Sequence, residues 1–245
     1  MKIALISLFP EVLESFAALG VTGKATGKAS EGGVEVRAFN PRDHAGDTHA
    51  TIDDRPYGGG PGMVMKCDTL LAALNEARAW ADNARVIYLS PQGRSLQQKC
   101  LQQMADSGSN LVLIAGRYEG LDQRFIEREV DEQISVGDFV VSGGELPALL
   151  LLDGLLRLVP GVLGHQQSAQ QDSFSEGLLD WPHFTRPEAW CEQAVPSVLL
   201  SGDHGAIEKW RQGQALSQTR RTRPDLVIEH WFNTRRGAKD NGRKS

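Results

Sequence analysis

Cysteine is scarce in this sequence, and the three that occur, Cys67, Cys100 and Cys191, stand far apart. An odd number at such spacing argues against a disulfide framework and against a paired-cysteine metal site. A cytoplasmic protein with reduced thiols is therefore predicted. Met1–Pro10 is too short, and too soon interrupted by proline, for a secretory signal peptide, so we predict that it contains the first strand.

Long hydrophobic runs are also missing. The most apolar stretch, Glu145–Val159, has fifteen residues. As a helix it would span about 22 Å, short of a bilayer core of roughly 30 Å, so no membrane association is predicted. Such a helix is expected to be buried in a core or in a subunit interface. Arg157 has two open interpretations, pairing with Asp153 four residues earlier and contact with a ligand.

Familiar phosphate and metal motifs are absent as well. The segment Gly20–Gly33, predicted as a loop, has Thr22 and Ala29 where a P-loop requires Gly and Ser or Thr. No GxGxxG follows a predicted strand, so a nucleotide-like cofactor must be held in another way. His44 and His49 have no third ligand at a familiar spacing, and no fixed metal site is predicted.

Positive charge is concentrated towards the C-terminal end of the sequence. The formal net charge is −5, yet 205–245 carries ten Lys or Arg against four Asp or Glu, which is +6 and leaves −11 for the remainder. A basic region attached to an acidic body is typical of a polyanion-binding appendage, and a solvated basic helix face is the alternative.

The order of apolar runs predicts strands alternating with helices, and hence a parallel α/β sheet. The predicted strands after the first are Val34–Phe39, Arg85–Leu89, Asn110–Ala115 and Glu132–Val136. The predicted helices are Glu11–Leu19, Asp68–Trp80 with Asp68 as its cap, Ser95–Met104, one ending at Arg128, and Glu145–Val159. Asn40–Met65 is a long polar connection, predicted to grip substrate because loops of that length are usually functional, with a plain surface loop as the alternative.

Three loops rich in small residues follow three of these strands: Ser90–Arg94, Gly116–Gly120 and Val136–Gly144. Ligands of parallel sheets bind at the carboxyl ends of strands, so the loops predict a nucleoside pocket, with an ordinary sheet end as the alternative. Within the third loop, Phe139–Val141 is predicted to be a buried strand end. Ser142 and Glu145 are predicted to form a capping box at the start of the apolar helix.

The remainder of the chain reads as a smaller helical part. Residues 161–171 form a polar linker. Asp203 is predicted to cap a helix that reaches about Arg221, and Pro224 to begin a shorter helix through Phe232. Residues 235–245 are expected to be disordered. The aromatic residues Trp210, Trp231 and Phe232 are interpreted as small-domain core rather than base-stacking platforms.

Several motifs resemble, in order, those of the bacterial tRNA (guanine-N1)-methyltransferases of the TrmD family. They are DRPYGGG at 54–60, LSPQG at 89–93, AGRYEG at 115–120, SGGE at 142–145 and DSF at 172–174. The match runs from Met1 to the basic helices. Phe139 and Phe184 depart from it, since the family often has tyrosine at both positions.

The resemblance implies a SPOUT-type α/β fold with a parallel sheet and a C-terminal trefoil knot in residues 1–160. It implies a linker at 161–171 and a small all-α, basic, tRNA-binding domain at 172–245. It also implies a homodimer with active sites shared between subunits, in which the apolar helix packs against its own copy.

The resemblance further implies S-adenosylmethionine, bound in a bent shape by the three loops. The residues expected to bind it are Tyr88, Leu89, Ser90, Pro91, Gly116, Tyr118, Glu119, Ser135, Val136, Gly137, Asp138, Phe139, Val140, Val141, Gly143, Gly144 and Pro147.

Methylation of guanine N1 requires removal of its proton, and an ordinary aspartate, with a pKa of about 3.9, is a weak base for that task. The charge that develops on O6 must therefore be stabilised, which suits a guanidinium. We predict Asp172 as the base, ordered only when tRNA binds, and Arg157 as the partner of O6. The resemblance adds Glu119, acting through a magnesium ion.

The expected substrate is the tRNA anticodon stem-loop, methylated at guanosine 37, just 3′ of the anticodon. Residues expected to contact it are His49, Asp53, Asp54, Tyr57, Gly58, Gly59, Ser168, Phe174, Lys209, Arg211, Arg220 and Arg221. The alternatives are a knotted methyltransferase for another nucleotide and a non-catalytic RNA-binding adaptor.

Overall fold

The computed structural model describes residues 1–26, 33–162, 172–228 and 230–231. The chain divides into two compact units, Met1–Gln166 and Gln167–Ser245. The expected linker lies largely in 163–171 and so mostly outside the described residues, and the expected disordered tail, 235–245, lies entirely outside them.

A five-stranded, fully parallel sheet forms the centre of the first unit. Its strands are β1 (Lys2–Ile6), β2 (Glu35–Phe39), β5 (Arg85–Ser95), β6 (Leu111–Ala115) and β7 (Glu132–Ser135), in the order β2-β1-β6-β5-β7. Two short strands, β3 (Asp53–Asp54) and β4 (Val64–Met65), pair separately as an antiparallel ribbon. The predicted parallel α/β architecture is confirmed, while the trefoil knot stays a prediction.

Helices cover both faces of this sheet. They are α1 (Pro10–Ala17), α2 (Gly20–Thr26), α3 (Cys67–Trp80), α4 (Gln98–Ser107), α5 (Gln123–Glu129) and α6 (Glu145–Leu156). Along β1, Ile3 and Leu5 pack in the core cluster that includes α6, whereas Ala4 and Ile6 pack in the cluster that includes α3. This alternation follows from the twofold period of a strand and explains why the central strands are apolar throughout.

Two predictions of local structure were wrong, at the segment Gly20–Gly33 and at the start of the helix Asp68–Trp80. The start of the predicted Gly20–Gly33 loop is helix α2, whose Thr22 hydroxyl donates to the carbonyls of Phe16 and Leu19. Helix α3 begins one residue before Asp68, at Cys67, and its N-cap residue Lys66 makes no side-chain capping bond.

Helix α6 buries one face and exposes the other within the single chain. Its inward face includes Leu151, Leu152 and Leu155, all fully buried, whereas Leu146 and Leu150 are 60% and 58% exposed. The helix ends at Leu156 rather than at the predicted Val159, and Arg157 is its C-cap residue. An apolar face of this kind is typical of a subunit interface.

The second unit is mostly helical but not all-α, which corrects the prediction. A short antiparallel hairpin joins β8 (Ala189–Trp190) to β9 (Gln193–Ala194). It is followed by α7 (Ser197–Leu200) and α8 (His204–Thr222), and residues 224–228 are also helical. The predicted cap of α8 is confirmed, because the Asp203 carboxylate accepts the N–H of Ala206 at 3.0 Å.

Aromatic side chains of the second unit pack against α8. The rings of Phe184 and Trp210 lie 6.2 Å apart, which supports the interpretation of Trp210 as core. Trp231 is about half exposed, and Phe232 lies outside the described residues. Among the described helices of both units, none is long and apolar enough to cross a membrane.

Candidate functional site

A cavity of about 400 Å³ opens at the carboxyl end of the sheet. The irregular second half of β5 beyond Leu89, the loops after β6 and β7, and the first turn of α6 surround it. The three predicted segments therefore converge, but the first, Ser90–Arg94, is part of β5 and not a loop that follows a strand ending at Leu89. It is lined by Tyr88–Gln92, Gly116–Leu121, Gln123, Ile126, Ile134–Gly137, Phe139–Gly144 and Pro147. This volume is within the usual range for sites of small organic ligands.

Of the residues expected to bind S-adenosylmethionine, all but Asp138 line this cavity. Sequence reasoning missed several lining residues, notably Gln92, Arg117 and Ser142. The signal for Arg117 and Ser142 was present, since both stand inside the quoted motifs. Residues such as Gln123 and Ile126 lie on α5 and carried no sequence signal.

Phe139–Val141 lies at the mouth of the cavity rather than in a buried strand, and Val140 is 84% exposed. The predicted capping box is also absent. The N-cap residue of α6 is Gly144, without a side-chain capping bond. Glu145 instead accepts hydrogen bonds from Ser7 and Arg117, two residues remote in sequence.

Glycines let the loops approach one another closely. The N–H of Gly144 donates to the carbonyl of Gly116 at 2.8 Å, and a Cβ on Gly144 would come within 2.6 Å of the Cα of Ala115. A Cβ on Gly116 would come within 2.9 Å of the Tyr88 ring. These close approaches leave no room for a side chain at Gly116 or Gly144.

Tyr88 forms part of the cavity floor. Burial raises the pKa of its hydroxyl, although hydrogen bonds involving Leu121 and Ser90 oppose the shift. The hydroxyl therefore stays protonated at neutral pH and contributes no charge. Among the described lining residues the only arginine, lysine, aspartate or glutamate side chains are those of Arg117 and Glu119, so most of the lining is uncharged.

The long polar connection between β2 and α3 reaches the edge of this cavity. Glu119 donates its N–H to the carbonyl of Met63 at 2.9 Å, and its side chain lies directly against Gly62. Gly58, Gly59, Gly60 and Gly62 all have positive φ angles, which glycine adopts readily. Tyr57, immediately before them, is 99% exposed.

A second groove, of about 1110 Å³, runs beside this connection and includes Asp54 and Tyr57 among its lining residues. Four cationic side chains, Arg55, Lys66, Arg124 and Arg128, also line it. A hydrogen bond from Arg124 lowers the pKa of Asp122 in this groove to about 2. His49 and Asp53 lie outside both linings, His49 on the exposed turn in which its N–H contacts Asp47.

The described residues contain no cluster of three acidic, cysteine or histidine side chains suited to a metal ion.

The predicted catalytic pair is divided between the two units. Arg157 is exposed at the end of α6 in the first unit, and Asp172 is half-buried at the start of the described part of the second. The backbone carbonyl of Asp172 accepts the N–H of Ser175 at 3.2 Å, which closes a turn that contains Phe174. Ser168 lies outside the described residues.

The predicted phosphate contacts differ in their surroundings. Lys209, Arg220 and Arg221 are exposed on α8. Arg211 is half-buried, with its guanidinium 5.0 Å from the centre of the Trp181 ring. A cation stacked in this way still presents its edge to solvent, so it retains its charge for a phosphate.

Comparison with known proteins gives one consistent family. A family model described as tRNA (Guanine-1)-methyltransferase TrmD matches residues 1–229. The tRNA (guanine-N(1)-)-methyltransferase of Marinomonas sp. (strain MWYL1) is 56% identical over 227 residues, covering 93% of this chain and 89% of that protein. The protein of the same name from Pseudomonas fluorescens (strain SBW25) is 53% identical over 228 residues, covering 93% of this chain and 90% of its own. With a family model spanning nearly the whole chain and relatives above half identity, the chain belongs to the TrmD family of tRNA (guanine-N1)-methyltransferases.

Proposed function

We propose that this protein transfers a methyl group from S-adenosylmethionine to N1 of guanosine 37 in tRNA, just 3′ of the anticodon. The observation that carries the proposal is the cavity built by three converging segments, the second half of β5 and the loops after β6 and β7, in a chain of this family. Its backbone N–H and C=O groups suit the edge of an adenine, and its apolar side chains suit the ring faces. When bound, S-adenosylmethionine supplies an electrophilic methyl group on a sulfonium.

The acceptor chemistry is assigned to Asp172 and Arg157. The Asp172 carboxylate takes the N1 proton as the new N–CH₃ bond forms and the S–CH₃ bond breaks, which leaves a neutral thioether. Arg157 stabilises the negative charge that develops on guanine O6. Glu119, which lines the cavity, offers carboxylate oxygen atoms of the kind that magnesium prefers. The ordering of Asp172 upon tRNA binding remains part of the proposal.

The test is methyl transfer from labelled S-adenosylmethionine to an unmodified tRNA transcript, with 1-methylguanosine identified in the digested product. A matched transcript carries adenosine at position 37. Label on the first transcript alone is the expected result. Label on both transcripts would show that the enzyme methylates a nucleotide other than guanosine 37. Bound cofactor with no transfer to either transcript would support the RNA-binding adaptor instead.

We extend the proposal to a homodimer formed through the exposed face of α6. Leu146 and Leu150 stand four residues apart, and Arg157 follows two turns later on the same face. A second copy of the helix would bury both leucines and bring Arg157 into a shared site.

Leu150→Glu should convert the dimer to monomer, because a carboxylate would be buried in the apolar interface. Sedimentation velocity measures the change, with Leu19→Glu as a control at another exposed leucine. A variant that remains dimeric at micromolar concentration would place the interface elsewhere.

The second unit, with the groove beside Tyr57, is proposed to bind the anticodon stem-loop. If Lys209, Arg220 and Arg221 neutralise phosphates, log Kd should rise linearly with log salt concentration. Replacing all three by glutamine should reduce that slope by about two to three. Filter binding across a salt series measures it, and a slope unchanged by the triple substitution would contradict the assignment.

A further inference from the structure

Arg117 and Glu145 form an ion pair beneath the cavity loops. The Glu145 carboxylate is only 4% exposed and accepts Arg117 Nε at 2.8 Å. Its other oxygen accepts the Ser7 hydroxyl at 3.0 Å. Ser7 lies just after β1, and its Oγ accepts the N–H of Phe9 at 3.0 Å. The carboxylate is therefore held from both sides by residues far away in sequence.

The same guanidinium also holds the third cavity loop. Arg117 Nη1 donates to the carbonyl of Ser142 at 3.3 Å, and the Arg117 side chain packs directly against Gly143, where any Cβ would collide with it. The Phe9 ring also contacts the guanidinium, with the Arg117 Cζ 4.5 Å from the ring centre. Arg117 thus connects the end of β1, the loop after β6 and the residues that lead into α6.

Fork geometry makes this arrangement specific to arginine. Nε and Nη1 of one rigid plane reach a carboxylate and a backbone carbonyl at once, whereas the ammonium of lysine is a point charge on a flexible stem. A carboxylate as buried as that of Glu145 is costly without such a partner. Two of the three connected segments line the cavity, so the pair acts where the cofactor is expected to bind.

We propose that Arg117 and Glu145 are positioning residues that hold loop 139–144 in the conformation that receives S-adenosylmethionine. The inference rests on the proposed function. It adds that the affinity for S-adenosylmethionine depends on the ion pair of Arg117 and Glu145, which acts by holding the backbone of loop 139–144. Removing the fork releases the Ser142 carbonyl, and the loop then samples conformations that do not bind the cofactor.

The test compares Arg117→Lys and Glu145→Gln with the wild-type protein. Calorimetry gives the Kd for S-adenosylmethionine, steady-state kinetics give KM and kcat, and thermal melting gives Tm. For Arg117→Lys we expect Kd and KM for the cofactor to rise about tenfold, while kcat at saturating cofactor changes by less than about threefold. Glu145→Gln keeps one oxygen that can accept the Arg117 Nε–H, so a smaller rise in Kd is expected.

Arg78→Lys is the matched control. Arg78 forms a comparable pair with Glu129, at 2.6 Å, between α3 and α5, and neither residue lines the cavity. It should lower Tm by an amount similar to Arg117→Lys and leave the Kd unchanged. A role in stability alone would give both variants the same Kd as the wild type, and this would overturn the proposal.

A double-mutant cycle with Arg117→Met and Glu145→Gln gives a second criterion. If the two act as a unit, the double variant should bind the cofactor no more weakly than Arg117→Met alone, and independent, additive losses would contradict the pairing. If Arg117→Met does not fold, the comparison of Arg117→Lys with Arg78→Lys still tests the proposal. Failure of the wild-type protein to bind S-adenosylmethionine would instead overturn the proposed function itself.

Discussion

Replacing Asp172 by asparagine should lower kcat for methyl transfer by about 10²- to 10⁴-fold, the usual contribution of a positioned general base. Asparagine has nearly the same shape and can still accept a hydrogen bond, but it cannot take the N1 proton. Binding of tRNA and of S-adenosylmethionine should change little, because the substitution removes an interaction that matters mainly in the transition state. Single-turnover transfer to a tRNA transcript, with all components saturating, measures the chemical step directly.

Glu176→Gln provides the control for this substitution. Glu176 is an exposed carboxylate in the same segment. Its replacement by glutamine removes one negative charge, as Asp172→Asn does. If asparagine at position 172 left the single-turnover rate near that of the wild type, Asp172 would not be the base. Equal losses in both variants would indicate a general effect of charge in this segment on the chemical step, and would equally argue against Asp172 as the base.

Gly144→Ala should weaken S-adenosylmethionine binding by about 5- to 150-fold, because overpacking a close contact costs about 1–3 kcal/mol. The φ of Gly144 is −76°, so alanine meets no backbone restriction there, and the expected effect is steric. The added Cβ would lie 2.6 Å from the Cα of Ala115 and 2.8 Å from the N of Gly116. The loops must separate to admit it, which breaks the bond from Gly144 to the Gly116 carbonyl. Calorimetric titration with the cofactor measures the loss.

Gly213→Ala is the matched control, the same substitution at an exposed position inside helix α8. A Cβ there meets nothing within 4 Å, so the change should raise stability by about 0.5–1 kcal/mol and leave cofactor affinity unaltered. Normal affinity of Gly144→Ala would mean that the tight contact between the two loops is not required for the cofactor site.

Much of the fold could be predicted because its signals are local. The strands around Val86, Val112 and Ile134 are short apolar runs bounded by loop residues, and their alternation with helices specifies a parallel sheet. The carboxyl ends of such strands face the same edge, so the three loops could be brought together without coordinates. The N-terminal cap of α8 at Asp203 was equally local.

Three of the wrong or missed predictions have identifiable physical causes. Ser142 and Glu145 have the spacing of a capping box, but the Glu145 carboxylate is taken by Ser7 and Arg117, which lie 138 and 28 residues away. Phe139–Val141 has the apolar character of a buried strand, yet it stands at the mouth of a cavity, where apolar side chains can meet a ligand. Cys191 and Glu192 form the turn of the β8–β9 hairpin, and both have positive φ angles. Neither is a glycine, asparagine or aspartate, the residues typical of such turns, so the hairpin could not be recognised from its turn residues.

By itself, the amino-acid sequence determined the class of fold, the edge of the sheet that carries the site, and the family, because these depend on periodicity and on contiguous motifs. Only the tertiary structure decided how that site is held: Gly144 seated on Ala115, Tyr88 beneath the glycines, and Arg117 joining Ser142 to a buried Glu145. Such contacts join residues far apart along the chain. Their free energy depends on burial and on distances of a few ångströms, which no local pattern encodes.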